Sequence, residues 1–139
     1  MEKRRPGAVV DCSITLSWFF NDEKSRLADS ILHKLDRITL WVPAIWTLEF
    51  ANALINARRR KRISEKEHVA ILDHAARLPL IADAEIHSLS GITGLAQRYG
   101  LTSYDAAYLE LALRKDLLLA TLDEALAKAA VEAGVTLLT

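Results

Sequence analysis

Cysteine is all but missing from this 139-residue chain: Cys12 stands alone, which excludes a disulfide framework within the chain and a zinc cage built from cysteines. A surplus of either charge is missing as well. Eighteen Lys and Arg balance eighteen Asp and Glu, so overall basicity announces no nucleic-acid partner. No hydrophobic run approaches the roughly 20 residues that span a bilayer. The apolar stretch behind the basic opening Lys3-Arg4-Arg5 stops at Asp11, too short for a signal peptide. A cytoplasmic protein without a membrane partner is expected. Low-complexity tracts, repeats, a linker and a glycine-rich phosphate loop are absent too, which argues against nucleotide hydrolysis of the P-loop kind. What is present is 51% hydrophobic and 26% charged, the make-up of a globular chain, and its length suits one domain over residues 1–139.

Against that background four carboxylates are out of place. Asp11 is the only charge between Gly7 and Asn21, and Glu49 the only one between Pro43 and Ala57. Asp105 is alone between Tyr99 and Leu109, and Asp123 follows the uncharged run Leu117 to Leu122. Segments this apolar are usually buried, and an unpaired buried carboxylate costs several kcal/mol. No Lys or Arg lies close in sequence to neutralise any of them. Convergence of all four on one hard divalent cation, Mg²⁺ or Mn²⁺, is a common solution, because such ions take oxygen ligands.

The pattern of apolar residues sets where these acids fall. Strands are expected at Gly7 to Asp11, Ile38 to Val42, Leu78 to Ala82, Leu117 to Thr121 and Val135 to Leu138. Helices are expected at Thr15 to Phe20, Ser25 to Leu35, Ala44 to Arg60, from Ser64 (a Ser-x-x-Glu capping box with Glu67), Glu85 to Tyr99, Thr102 or Ser103 to Lys115, and Glu124 to Ala133. Such alternation implies a parallel sheet covered on both faces, whose ligands bind beyond the carboxyl ends of the strands. Asp11 and Asp123 fall at strand ends, Asp105 in the first turn of a helix and Glu49 in the second.

Each Asp also has a structural explanation. Asp11 and Asp123 suit N-caps, and Thr102-x-x-Asp105 resembles a capping box. Glu49 has none: it lies inside a helix that is apolar almost all round, with Asn52 on the same face. Ser13 and Thr121, each two residues from an acid, fit either turn chemistry or the orientation of carboxylates. Tyr104 and Tyr108 flank Asp105 and are expected near substrate. Trp18, Phe19, Phe20, Trp41 and Trp46 read mostly as core. The histidines His33, His68, His74 and His87 read as surface residues, and the block Arg58 to Arg62 as a solvated helix end, or else as a contact for RNA phosphates or for an acidic segment of a partner protein.

Together, Val10-Asp11-Cys12-Ser13, Pro43 through Asn52, Leu101 through Tyr108 and Ala120-Thr121-Leu122-Asp123 resemble the PIN-domain nucleases, and within them the VapC-type toxins of toxin–antitoxin pairs, across essentially the whole chain. The resemblance implies a three-layer α/β/α sandwich around a mainly parallel sheet. It also implies a Mg²⁺- or Mn²⁺-dependent endoribonuclease acting on RNA, a homodimer and a cognate antitoxin. It carries Asp11, Glu49, Asp105 and Asp123 over as the metal-binding, catalytic quartet, with Ser13, Asn52 and Thr121 in support. Some relatives carry a further acid two residues after the last; here that position is Ala125. A phosphoaccepting signalling domain or a haloacid-dehalogenase-type phosphatase wants a second acid beside Asp11 or at position 13, and the chain has Cys12 and Ser13 there. A silent PIN-like binding or dimerisation module is the alternative.

Overall fold

Four short apolar runs become strands: Gly7–Val10 (β1), Thr39–Pro43 (β2), Leu80–Asp83 (β3) and Leu118–Ala120 (β4). They form one parallel sheet in the order β3-β2-β1-β4. The computed structural model describes residues 5–139, so Lys3 and Arg4 of the basic opening lie outside the described residues. Among the described residues seven α-helices and a short 3-10 helix, Asn21–Glu23, fill the intervals; the α-helices are Cys12–Ser17 (α1), Arg26–Leu32 (α2), Ile45–Arg59 (α3), Glu65–Ala76 (α4), Leu89–Tyr99 (α5), Ser103–Lys115 (α6) and Glu124–Glu132 (α7).

The two-residue period of a strand assigns its side chains to opposite faces. Val9 and Leu119 pack on one side with Tyr108, Leu109, Leu111, Leu126 and Ala129 of α6 and α7. Ala8, Val10, Leu40, Val42 and Ala120 pack on the other with Ile14, Ala28 and Ile31 of α1 and α2. The expected α/β layering around a parallel sheet is therefore present. A further apolar cluster, Phe20, Phe50, Leu54, Ala57, Ile63, Ile71 and Ala75, fastens α3 to α4. None of the described helices is long and apolar enough to cross a membrane.

Several boundaries differ from the sequence expectation, each for a local reason. The first helix begins at Cys12, not Thr15, because Asp11 caps it: the Ile14 N–H donates to Asp11 Oδ1 at 3.3 Å. The fifth helix begins at Leu89, not Glu85, because Ser88 accepts from the Gly91 N–H at 3.1 Å. The final segment is not a strand of the sheet. Beyond the left-handed Gly134, Val135 to Leu138 touches β4 through one isolated bridge, Leu119 to Leu137. The capping box at Ser64 and Glu67 is fully formed.

The strand order locates the crevice. From β1 the chain proceeds outward through β2 and β3, then returns to place β4 on β1's other edge. In parallel sheets the reversal point, at the carboxyl ends, is where ligands bind. Asp11 follows the last residue of β1, and Thr121 and Asp123 follow β4, so both sides of that crevice carry acids.

Candidate active site

Asp11 is the most enclosed of the acids, 5% exposed. The Ser13 hydroxyl donates to its Oδ1 and the Thr121 hydroxyl to its Oδ2. The same two hydroxyls accept from the next strand end: Leu122 N–H to Ser13 Oγ and Asp123 N–H to Thr121 Oγ1, both at 3.0 Å. Ser13 and Thr121 thus bolt the β4 loop to the end of β1 and fix the Asp11 carboxylate. Burial pushes Asp11 above the usual carboxylate range against the pull of these bonds, and the charge of Asp123 adds to the rise.

Glu49 is only half-buried, not enclosed as its apolar surroundings in sequence suggested. Helix α3 turns it toward the crevice side, where the Tyr108 hydroxyl donates to its Oε1 at 2.6 Å. Tyr108 itself is 1% exposed. It therefore does not face substrate, as its place beside Asp105 suggested; it rises from the core of α6 to hold Glu49. Burial raises Glu49 above its ordinary range, the Tyr108 bond opposes that, and the Asp11 charge reinforces it. A second buried tie sets α3 itself. Trp46 Nε1–H donates to the Thr15 hydroxyl at 2.9 Å, and Thr15 is wholly buried. Nothing in the local pattern marked Thr15 or tied Tyr108 to Glu49; their partners lie 31 and 59 residues away.

Asp105 occupies the first turn of α6 behind the N-cap Thr102, whose hydroxyl accepts from the Asp105 N–H at 3.1 Å. The reciprocal bond of a capping box is not made, and among the described residues the Asp105 carboxylate has no hydrogen bond. Burial first, then the charges of Asp123, Asp11 and Glu49, push it up to about 6. Asp123 is exposed at the N-cap of α7, where its Oδ2 accepts from the Leu126 N–H at 2.8 Å. For Asp11 and Asp123, capping and membership of the acid group coexist.

The four acids, drawn from four distant parts of the chain, thus act on one another's charge, and no Lys or Arg is among the groups perturbing the three that shift. As the described side chains stand, no three His, Cys, Asp or Glu groups are close enough to hold an ion in common. Cys12, beside them, is pushed up to about 12 by burial and by Glu49 and Asp11, so it is a poor nucleophile here. Asn52 is exposed on α3 next to Glu49. Of the histidines expected at the surface, His33 and His74 are exposed and His87 sits 3.6 Å from Glu110; His68 is instead half-buried against Leu72 in the apolar groove between α3 and α4, its Nδ1 without a hydrogen-bond partner among the described residues. Of the basic block, Arg58 pairs with Glu65, and Arg62 grips Asp22 at 2.8 and 3.0 Å, leaving Arg59, Arg60 and Lys61 exposed.

A family model described as PIN domain matches residues 8–132. The chain resembles PAE2754 from Pyrobaculum aerophilum, at 22% identity and TM-score 0.65, over 89% of this chain and 86% of that one. It resembles FitAcB from Neisseria gonorrhoeae at 14% identity and TM-score 0.66, over 95% and 96%. The third is VapBC2 from Rickettsia felis, solved bound to a DNA fragment from its promoter, at 15% identity and TM-score 0.61, over 95% and 97%. Among curated proteins no sequence matches.

Proposed function

This chain belongs to the PIN domain family, a nuclease fold, and on that premise we propose that it is a Mg²⁺- or Mn²⁺-dependent endoribonuclease, the toxin of a VapBC-type toxin–antitoxin pair. The observation that carries the reading is the group Asp11, Glu49, Asp105 and Asp123, whose charges raise the pKa of the first three at the sheet's switch point with no basic partner among the described residues to account for them. Their donor chemistry fits a hard cation: oxygen only, carboxylate-rich and open to solvent at Asp123.

Asp11, Glu49, Asp105 and Asp123 would hold the ion. Such an ion would supply positive charge beside a phosphate and lower the pKa of a water held there. The chain's own residues prepare the site. Ser13 and Thr121 keep Asp11 aimed into the crevice, and Tyr108 does the same for Glu49. Asp105, without a carboxylate hydrogen bond among the described residues, keeps both oxygens available to the ion. The antitoxin is proposed from the resemblance of the sequence motifs to VapC-type toxins, together with the likeness in fold to FitAcB and VapBC2. A homodimer and a cytoplasmic setting belong to the same reading.

The test is incubation of cellular RNA with purified, antitoxin-free protein and Mg²⁺ or Mn²⁺, beside EDTA and Asp105→Asn controls. Discrete fragments with 5′-phosphate ends that vanish in both controls support the proposal. Intact RNA in the presence of folded, metal-binding protein points instead to a silent binding module.

A further inference from the structure

We propose that the turn Arg59-Arg60-Lys61 at the end of α3 clamps phosphates of the RNA backbone at a fixed distance from the acids; the inference rests on the ribonuclease reading above. The consecutive cations Arg58 to Arg62 divide into two kinds. Arg58 is neutralised by Glu65 of α4. Arg62 is neutralised by Asp22, and its guanidinium lies 5.3 Å from the centre of the Phe20 ring. Between these two anchors Arg59, Arg60 and Lys61 are exposed, and among the described residues their side chains make no ion pair.

The backbone holds this turn in one shape. The Lys61 N–H donates to the Arg58 carbonyl at 3.1 Å and the Arg62 N–H to the Ala57 carbonyl at 2.9 Å, the paired bonds of a Schellman motif. Such a motif needs one residue in the left-handed region, where glycine is the usual occupant; here it is Lys61, at φ 57°. The chain thus keeps a cation where glycine would sit with less strain. Helical periodicity aims the turn. At 3.6 residues per turn, Asn56 and Arg60 fall within about 20° of Glu49 around α3, whereas Arg58 falls on the opposite side, toward α4. Arg60 lies about 16 Å along the axis from Glu49, at 1.5 Å per residue. The dipole of α3 favours cations at this end and accounts for a basic last turn. It does not account for three unpaired cations on a left-handed turn that continues the Glu49 face. A phosphodiester backbone does: a strand cut at the acids carries a charge about every 3.4 Å when stacked, so about five nucleotides reach from Glu49 to Arg60. Arginine suits phosphate because its fork binds two oxygens at once. An acidic protein segment would match the charge equally, but nothing would require it to lie on the face of Glu49.

The experiment reads fluorescence anisotropy of mixed-sequence RNAs of about 3 and about 12 nucleotides across roughly 0.1 to 0.3 M KCl. Mg²⁺ is present, and the protein carries Asp105→Asn so that the RNA stays uncut. To that background are added Arg59→Gln with Arg60→Gln, or Lys61→Gly, with Arg37→Gln as a control at an exposed cation elsewhere. On the longer RNA, Lys61→Gly should weaken binding about fivefold at 0.1 M salt and flatten the log–log salt slope by about 0.7. The arginine pair should weaken it about 25-fold and flatten the slope by about 1.5. Lys61→Gly should melt no lower than its parent, because glycine relieves the left-handed strain, so its loss of affinity is not a loss of fold. The shorter RNA cannot span the distance and should bind all variants alike. Slopes unchanged in the turn variants, or an equal loss with Arg37→Gln, overturn the clamp. So does a polyglutamate peptide that binds this turn more tightly than the RNA does. Cleavage by protein with Asp105 intact, measured in parallel, judges the ribonuclease reading separately. RNA cut equally well by the turn variants at limiting concentration sinks the clamp alone, whereas turn-dependent binding without cleavage sinks the ribonuclease reading alone.

Discussion

Asp105 is the acid with the least support around it. It sits in a like-charged group, its carboxylate has no hydrogen bond among the described residues, and its pKa is raised to about 6 by burial and by its three acidic neighbours. Asp105→Asn removes a repelling charge while keeping the shape. The variant should lose RNA cleavage, yet melt about 2–4 °C higher than the natural protein at pH 7 without metal, a gain read by calorimetry. Tyr108→Phe and Thr121→Val test the opposite kind of residue, one that holds an acid without being one. Each deletes a single hydroxyl bonded to Glu49 or Asp11. Each should cost about 1 kcal/mol in urea unfolding and weaken Mn²⁺ binding about 10- to 100-fold by titration. The acids were legible in the sequence because charge is rare in apolar runs, and Ser13 and Thr121 because they stand two residues from an acid. Tyr108 was misread: proximity to Asp105 along the helix said nothing of which way the ring points, and its partner is 59 residues away.

Helix α3 carries Glu49, and its position is fixed from outside. The Trp46 indole, one turn before Glu49, reaches the buried Thr15 hydroxyl on α1, directly behind Asp11. Thr15→Val keeps the volume but leaves the indole N–H without its partner. Destabilisation of about 1–3 kcal/mol is expected, together with weaker Mn²⁺ binding because α3 carries Glu49 and α1 is capped by Asp11. Unchanged Mn²⁺ affinity in a measurably destabilised variant would show that this tie serves stability alone. At this scale the sequence spoke well where apolar periodicity was long, as in α3, α4 and α6. It spoke poorly where a cap decided the start. Asp11 and Ser88 each moved a helix boundary by about one turn, and the terminal run Val135 to Leu138 has strand-like composition but only one bridge to β4. β4 is an edge strand and offers a free side, so strand composition recorded suitability for pairing but not that the chain would follow that edge for only one bridge.

For the whole molecule, the site is a balance between a parallel sheet that brings acids together and the repulsion that results. The fold class followed from alternation of strands and helices, but the order β3-β2-β1-β4, and with it the crevice between β1 and β4, needed the structure. The balance predicts a pH signature. The native carboxyl of Asp105 titrates near 6 against an ordinary 3.8, so between those values the folded state holds more protons than the unfolded chain. Its contribution to stability therefore falls as pH rises through that window. The melting temperature of the protein minus that of Asp105→Asn should decline from pH 4 to pH 6.5 without metal, and saturating Mn²⁺ should flatten the decline. Asp83 works in the other direction. Burial opposes it, but bonds and charge from Arg114 prevail and hold it below its usual range, so its contribution is lost as pH falls beneath 3.8. It thereby serves as a control remote from the site.

The most direct measurement is the thermal shift produced by millimolar Mn²⁺ in the natural protein and in four single variants, Asp11→Asn, Glu49→Gln, Asp105→Asn and Asp123→Asn, with Asp83→Asn as the control. A cation shared by the four acids binds the native state alone and raises Tm by linkage. The natural protein and Asp83→Asn should show that rise, and each of the four variants should lose most of it. No rise in the natural protein, or a rise that survives all four substitutions, would contradict the assignment of these carboxylates to a common metal site.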